Sequence, residues 1–429
     1  MTDLLKTPAS WPQPLLGRAG AKDPTDLDAA VKAGAFEGLR IALRLAPAGV
    51  VAEIRAAGLR GRGGAGFLTA DKWQLAAATP ADRRYVVANG YGADPATRTD
   101  AILLERDPYA VIEGLAIAAW AIGADTAIIA VRATESEAIR RLEAALGAAQ
   151  DAGFIGGDIL DTGRELHVEL RPVQGAYMLG EETVLLKALE GKRGQPEQRP
   201  PHPAERGLFG RPTVVQNVQT LALAAWIMHE GAAKFRTIGT PDAPGTILVH
   251  VRGAGGAGVA EVPLGTTIRT ILGLVAATTR TGPTPKALLV GGPSGGILPA
   301  DLLDTPYSFD ELRTAGAHVG SGSIVATAAD ADVLELAELL TRFCSAEACG
   351  KTIPCRIGTR RLEEIAVRIN GGTPRPTDAD LISDLAADIV ASGLCDHERL
   401  ATLPMTSVMR YFRPELDAKL QPAAEQAAR

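Results

Sequence analysis

The chain has 429 residues, enough for about three domains at roughly 150 residues each, and its hydrophobic fraction of 46 % excludes disorder as a global description. Forty-four Lys and Arg against 50 Asp and Glu give a net charge of −6, which argues against a nucleic-acid partner, because such binders gather a basic surplus on one face. Four cysteines are too few for a disulfide scaffold in a chain of this length, so they point to metal or redox work.

Residues 1–36 are Pro-containing and weakly periodic, and are expected to form a lead-in arm. Met1 to Gly20 lacks an apolar stretch behind a basic head, so no signal peptide is expected. From Gly38 the pattern alternates. Pro47 precedes a helical pattern from Ala48 to Ala57, at a position where a missing N–H costs nothing, and Gly58 ends it. Tyr85 to Ala88 reads as a strand, Ala110 to Ile122 as an apolar helix, Thr126 to Val131 as a strand and Glu135 to Ala149 as an amphipathic helix. Glu165 to Leu170 alternates at period two. Strands alternating with helices of this length indicate βαβ units and a mainly parallel sheet. Ala110 to Val131 is the most apolar stretch, but Glu113 and Asp125 interrupt it, so no membrane insertion is expected and a cytoplasmic location is. Pro196, Pro200, Pro201, Pro203 and Pro212 predict an extended loop over 191–212, and Val214 to His229 reads as an apolar helix.

Composition shifts near Pro241. Thr246 to Arg252 and Val259 to Val262 read as a hairpin, Thr267 to Ala276 as a helix and Lys286 to Val290 as a further strand, the outline of a small β-grasp-like α+β domain. From Ala331 helical patterns dominate, at Val333–Phe343, Arg360–Ile369, Asp378–Ala391 and His397–Phe412, and all four cysteines lie among them. The expected organisation is an α/β chain with an arm (1–36), a first domain (37–240), a second (241–330) and a helical bundle (331–429).

Four motifs carry chemistry. Gly58 to Phe67 opens with five glycines in nine residues. Without Cβ atoms, backbone N–H groups can converge on a phosphate or lie against a planar ring, with Arg60, Arg62 and Lys72 supplying charge; a flexible turn would use the same residues. Gly175 to Thr183 places Glu181 and Glu182 at a helix start, either as plain macrodipole partners or as carboxylates set against ligand hydroxyls or an amide. Gly291 to Gly296 is most simply a turn ending a strand. Cys349 and Cys355 with the distant Cys395, and Cys344 nearby, resemble iron–sulfur ligation and lack zinc-ribbon spacing; buried free cysteines acting as small apolar residues are the alternative.

In this order the motifs resemble the NADH-binding FMN and iron–sulfur subunit of respiratory complex I, a module shared with the diaphorase subunit of NAD-linked hydrogenases and the β subunit of NAD-dependent formate dehydrogenases. The resemblance runs from about Gly38 to Glu415. Its anchors are Gly58 to Lys72, Asn89 with Asp94-Pro95, Gly180 to Thr183, Glu190 to Gly194, Arg206 to Gly210 with Pro212-Thr213, Gly291 to Gly296, and the cysteines. It implies a Rossmann-like domain for FMN and NAD(H), a ubiquitin-like β-grasp domain of the SLBB type, and a four-helix bundle with a [4Fe–4S] cluster. Implied partners are a thioredoxin-like [2Fe–2S] subunit and a larger iron–sulfur subunit. By the same resemblance Gly61, Arg62, Gly63, Gly64 and Lys72 match the flavin-phosphate and ribityl loop, and Asn89 and Asn217 match flavin- and phosphate-contacting asparagines. Gly180 belongs to the same segment as Glu181 and Glu182, the acidic pair near flavin and nicotinamide, which carry the catalytic role. Phe67 matches a stacking aromatic on the dinucleotide, and Asp94 a shortened glutamate facing it.

The departures are local. Asn89-Gly90-Tyr91-Gly92 stands where the family reads Asn-Ala-Asp-Glu, Leu75 and His202 stand where two stacking phenylalanines are usual, and Gln216 replaces the first of two asparagines. Each lost stack forfeits on the order of 1 kcal/mol, about fivefold in affinity. The family's Cys-x2-Cys-x2-Cys reads Cys349, Thr352, Cys355. A substitute thiolate from Cys344, a three-cysteine cluster and no cluster at all are the three outcomes this leaves. For the whole chain, a non-catalytic assembly paralogue and an FMN protein with another electron donor stand as alternatives to NADH oxidation.

Overall fold

The computed structural model describes residues 5–253, 256–275 and 284–421. Its first sheet is parallel, with strands β1 (Tyr85–Gly90), β2 (Thr126–Arg132), β3 (His167–Val173) and β4 (Thr213–Asn217) in the order β3-β2-β1-β4. β1 and β2 are buried nearly throughout, as expected for central parallel strands with both faces covered. The edge strand β3 alternates in exposure, which is why its sequence carries a period-two pattern. β4 corrects the sequence reading, which ran a helix from Val214. The β-branched run Thr213-Val214-Val215 favours a strand, and the helix begins only at Val218, where the Asn217 side chain caps it by accepting from Gln219 N.

The helices Pro108–Ile122 and Val218–Glu230 cover one face of this sheet, and they meet at Gly114. A Cβ there would stand 1.9 Å from Leu221 O, so only glycine permits this approach. The segment expected to be an extended loop over 191–212 contains a short helix, Pro203–Arg206. Its first residue is a proline, which suits a first helical turn.

The second sheet holds β5 (Thr246–Gly253), β6 (Gly256–Pro263), β7 (Ala287–Val290), β8 (Gly296–Pro299) and β9 (Ser323–Ala326), in the order β6-β5-β9-β7-β8. β5 and β9 run parallel and the other pairs antiparallel. The sequence reading missed β8 and β9, which at four residues each are too short to show a period. Gly291 to Gly296 makes the β7–β8 turn. The helix beside the sheet is Ile268–Val275; Ala276, its expected last residue, lies outside the described residues.

Helices Val333–Ala346, Thr359–Asn370, Asp378–Ser392 and Leu403–Tyr411 pack around Leu362, Ile365, Ile382, Ile389 and Val408, and the same core takes in Leu289 and Ile297 of the second sheet. The single helix expected over 397–412 is broken into Asp396–Leu400 and Leu403–Tyr411. Pro404 cannot donate to a preceding turn, so it restarts the helix. Among the described residues, no helix is long and apolar enough to cross a membrane.

The described part of the N-terminal arm, residues 5–36, is a packed strap. Leu15, Leu16, Ala19, Ala35 and Phe36 are buried, Phe36 stacks on Phe154 with centroids 3.9 Å apart, and Arg18 pairs with Asp107 at 2.9 Å. Leu15 N and Leu16 N donate to the two carboxyl oxygens of Glu261 at 2.9 and 2.8 Å, and Thr246 Oγ1 donates to Oε1 at 2.5 Å. Burial pushes the Glu261 carboxyl from 4.5 up to about 7. The folded protein therefore holds a proton there that the unfolded chain releases, so stability declines as pH rises from about 4.5 through 7 and is level above. Glu261→Ala should lower stability by about 2 kcal/mol, because two buried amides lose their acceptor, and should speed hydrogen exchange at Leu15 and Leu16. In Glu261→Gln the fall in melting temperature between pH 5 and pH 7.5 should be smaller than in the wild type (a window of about 2.5 units around the shifted carboxyl).

Candidate functional site

In the order β3-β2-β1-β4, chain connections leave β1 in one direction toward β2 and β3 and the other toward β4. Parallel sheets bind ligands outside the carboxyl ends of the strands at such a reversal. Asn89 and Asn217 are register partners across it. The glycine loop lies over them. Gly61 N donates to Phe67 O at 2.8 Å to close the loop, Gly63 stands against Asn217, and Gly64 has φ +113°, a conformation that side-chain-bearing residues rarely adopt.

Arg62 departs from the phosphate-binding expectation. Its guanidinium is fully buried and donates to Arg60 O, Pro244 O and Thr246 O at 2.7, 2.7 and 2.8 Å, while its own N–H donates to Thr220 Oγ1. Burial and the neighbouring Arg60 lower its pKa to about 9. The side chain is a tie between the loop and the second sheet. Asp94 is likewise turned into that seam, accepting from Ser323 Oγ at 2.7 Å and Ala96 N at 2.8 Å, with burial raising its carboxyl; it is not offered to a dinucleotide.

The remaining expected residues converge. Lys72 Nζ donates to Glu182 Oε2 at 2.8 Å and to Val215 O at 3.1 Å. Arg199, which the sequence reading missed inside the proline-rich stretch, donates to both carboxylates, to Glu181 at 2.6 Å and Glu182 at 2.9 Å. Glu181 also caps the helix Glu182–Leu189 through Thr183 N and Val184 N. Burial raises Glu181 above its ordinary value despite Thr183 and Arg199. Burial pulls Glu182 the same way, but Lys72, Arg199 and the nearby His202 outweigh it and hold the group ionised below the usual range. His202 is exposed at the start of the helix Pro203–Arg206. Asn89 Nδ2 donates to Gly180 O at 3.1 Å, which fastens Gly180 to β1. Asn217 Nδ2 donates to the buried Asp100 at 2.8 Å, whose carboxyl burial raises to about 6. Phe67 is 58 % exposed, a bare aromatic face at the mouth of the loop.

Tyr91 is buried at the end of β1. Its hydroxyl donates to Gly175 O at 2.5 Å and the Arg132 guanidinium lies over its ring, and with Gly90, Thr97, Asp100 and Glu135 it lines a small hollow there. Gln216 Nε2, beside Asn217 at the end of β4, is buried with no hydrogen-bond partner among the described residues. A loop that only glycine can build, paired cations and an unspent donor fit a phosphate-bearing, polar planar ligand such as FMN.

Cys349, Cys355 and Cys395 line a second, narrow pocket. Burial, with the charges of Glu398 and the other two thiols, pushes Cys355 up to about 12, and burial likewise takes Cys395 to about 11. Thiols this reluctant to ionise become ligands only when a metal takes the place of their protons. Cys344, the expected substitute ligand, stands apart: its thiol points to Pro293 O at 3.7 Å and does not line the pocket. Among the described residues no three acidic, His or Cys side chains are set to hold a single ion. A cluster asks for something else, since its ligands stand around a cage with each on its own iron. Three thiols around one pocket fit such a cage.

One segment joins the charged cluster to the cysteine pocket. Met178 and Pro196 line that pocket, Tyr177 N donates to Glu347 at 2.8 Å and Lys351 Nζ to Pro196 O at 2.5 Å, while Glu182 of the same segment pairs with Lys72, and Arg199 with Glu181 and Glu182. Arg62→Ala should cost about 3 kcal/mol in urea unfolding, since it strips a charged donor from three buried carbonyls, and Arg62→Lys, which cannot reach all three, should recover only part.

Residues 54–225 match the family described as the Nuo51 FMN-binding domain, and residues 335–419 match the NADH-ubiquinone oxidoreductase-F iron-sulfur binding region. The chain is 37 % identical over 400 residues to the HndC subunit of the NADP-reducing hydrogenase of Solidesulfovibrio fructosivorans, covering 93 % of this chain and 81 % of that one. It is 36 % identical over 390 residues to the second F-type subunit of NADH-quinone oxidoreductase in Rhizobium meliloti (strain 1021), covering 90 % and 93 %. A crystal structure of NAD+-reducing [NiFe]-hydrogenase in the H2-reduced state superposes with a TM-score of 0.84 at 31 % identity, over 97 % of this chain and 68 % of that one. The crevice at the end of β1 and β4, the three-thiol pocket and these likenesses together show that the chain belongs to the Nuo51-type family of FMN-binding, iron–sulfur NADH oxidoreductase subunits.

Proposed function

We propose that the chain oxidises NADH at the crevice and delivers electrons through the cysteine pocket, as one component of a larger redox assembly. FMN bound at the switch point supplies the chemistry, taking a hydride's two electrons together and releasing them singly. The chain's residues supply placement. The N–H groups of Gly63 and Gly64, with Lys72, would hold the phosphate and ribityl chain in the loop that Gly61 closes, while Asn89, Gly180 and Asn217 set the floor. Glu181 and Glu182, fixed by Lys72 and Arg199, would orient the ring and the nicotinamide from one side. Phe67 and His202 would stack on the dinucleotide from the mouth.

The observation that carries the reading is that one segment, from Tyr177 to Arg199, both holds the Glu181–Glu182 pair against Lys72 and lines the cysteine pocket. The match to both cofactor-binding regions leaves a non-catalytic paralogue and a different electron donor unfavoured. The second sheet is read as a ubiquitin-like β-grasp of the SLBB type, within the division 1–36, 37–240, 241–330 and 331–429, and the chain as cytoplasmic. Its partners are read as a thioredoxin-like [2Fe–2S] subunit and a larger iron–sulfur subunit. Ile353 at 68 % and Ile357 at 48 % exposure flank Cys355 and offer apolar surface for docking beside the electron exit.

Protein reconstituted anaerobically with FMN, iron and sulfide should show flavin absorbance that NADH bleaches; a preparation that binds no flavin overturns the reading. Leu75→Phe should restore a stack and tighten NADH about fivefold in a bleaching titration.

A further inference from the structure

Thr352 occupies the place between Cys349 and Cys355 where a thiolate is missing, and the structure puts a carboxylate there. Thr352 Oγ1 donates to Glu398 Oε1 at 2.6 Å, and Leu394 N donates to Oε2 at 2.8 Å. Glu398 is 1 % exposed and lines the pocket with Cys349, Cys355 and Cys395. It sits one helical turn after Cys395, in the short helix Asp396–Leu400, so residues three apart share a face. No lysine or arginine pairs with this carboxylate among the described residues, although a buried charge ordinarily has such a partner.

We propose that Glu398 is the fourth ligand of the iron–sulfur cluster, its carboxylate binding the iron that faces Thr352. The inference rests on the cofactor reading above. Three thiolates and one carboxylate carry the same total charge as four thiolates, whereas a neutral threonine hydroxyl would leave the ligand set short by one. Thr352 is a positioning residue: its hydroxyl, which also accepts from Cys355 N at 3.2 Å, aims the carboxylate at the corner. His397 also lines the pocket, with Nδ1 unpartnered among the described residues. Its ring, however, is held toward Cys344 O and Tyr177, on the side of the thiol that stands apart. Oxygen is a harder donor than sulfur and suits an Fe–S iron less well, so the iron on Glu398 is the exchangeable one. On oxidation with ferricyanide that corner opens: one ferrous ion leaves, ferricyanide takes one electron, and a three-iron cluster stays on Cys349, Cys355 and Cys395.

The test is anaerobic reconstitution of the full chain, read by iron and sulfide content and by EPR before and after ferricyanide. The wild type should form a four-iron cluster, convert to the three-iron form with ferricyanide and recover with added ferrous ion. Glu398→Ala and Glu398→Gln should bind the same sulfide but about a quarter less iron, and ferricyanide should bring up the three-iron signal without releasing further iron. The double variant Thr352→Cys/Glu398→Ala should regain the full iron content and resist ferricyanide, which separates ligand loss from misfolding. Unchanged iron content and lability in both Glu398 variants overturn the inference while leaving the cofactor reading intact, as does loss of the labile iron in His397→Ala but not in Glu398→Ala. A wild type that binds flavin and no iron overturns both the inference and the cluster.

Discussion

The charge array Lys72–Glu182–Arg199–Glu181 is the constraint on which the site depends. Two carboxylates adjacent in sequence, mostly out of water, are held in place by an arginine that reaches both and a lysine that pairs with Glu182 from the other side. Ion pairs of this kind contribute little net stability, since desolvation offsets their attraction. What they fix is position. Lys72 reaches from the helix after the glycine loop and also bonds Val215 O in β4, so the segment from Tyr177 to Arg199 is pinned across the end of the sheet.

Because that segment is pinned on one face, its other face is a fixed surface for the helical domain. Glu347 and Lys351, on either side of Cys349, both bond to it. The cysteine pocket is therefore assembled from two parts of the chain about 150 residues apart, and the route from crevice to pocket is made of packed protein, including Met178, Val215 and Cys395 in one apolar cluster. A reaction that hands over a hydride in one place and single electrons in another needs this fixed spacing more than it needs flexibility.

Much of this arrangement was legible in the residues. Central parallel strands bury both faces and read as apolar runs, which is why β1 and β2 stood out, and the glycine loop stood out because its backbone conformation excludes other residues. β4 was hidden because its five residues abut an apolar helix with no break in hydrophobicity, and only Asn217 marks the boundary. β8 and β9, at four residues each, span only two repeats of a strand's period. Arg199 was hidden for another reason: an arginine among prolines looks like a solvated loop charge, and its role exists only once Glu181 and Glu182 are brought to it from elsewhere. Arg62 misled in the opposite direction. A cation in a glycine loop suggests phosphate, but two of the three carbonyls it binds belong to residues some 180 positions later and leave no local trace. Thr352 was visible as a gap in a cysteine pattern, whereas the carboxylate facing it was not, because the two are joined only by the fold.

The strap has a further consequence for how the molecule comes into being. Leu15 and Leu16 emerge from the ribosome early, yet the carboxyl group that receives their amides is made nearly 250 residues afterwards. At synthesis rates of about 5–20 residues per second, these two amides wait tens of seconds for their acceptor. The end of the strap at Leu15 and Leu16 is therefore locked later than the part that Arg18 and Phe36 tie to Asp107 and Phe154.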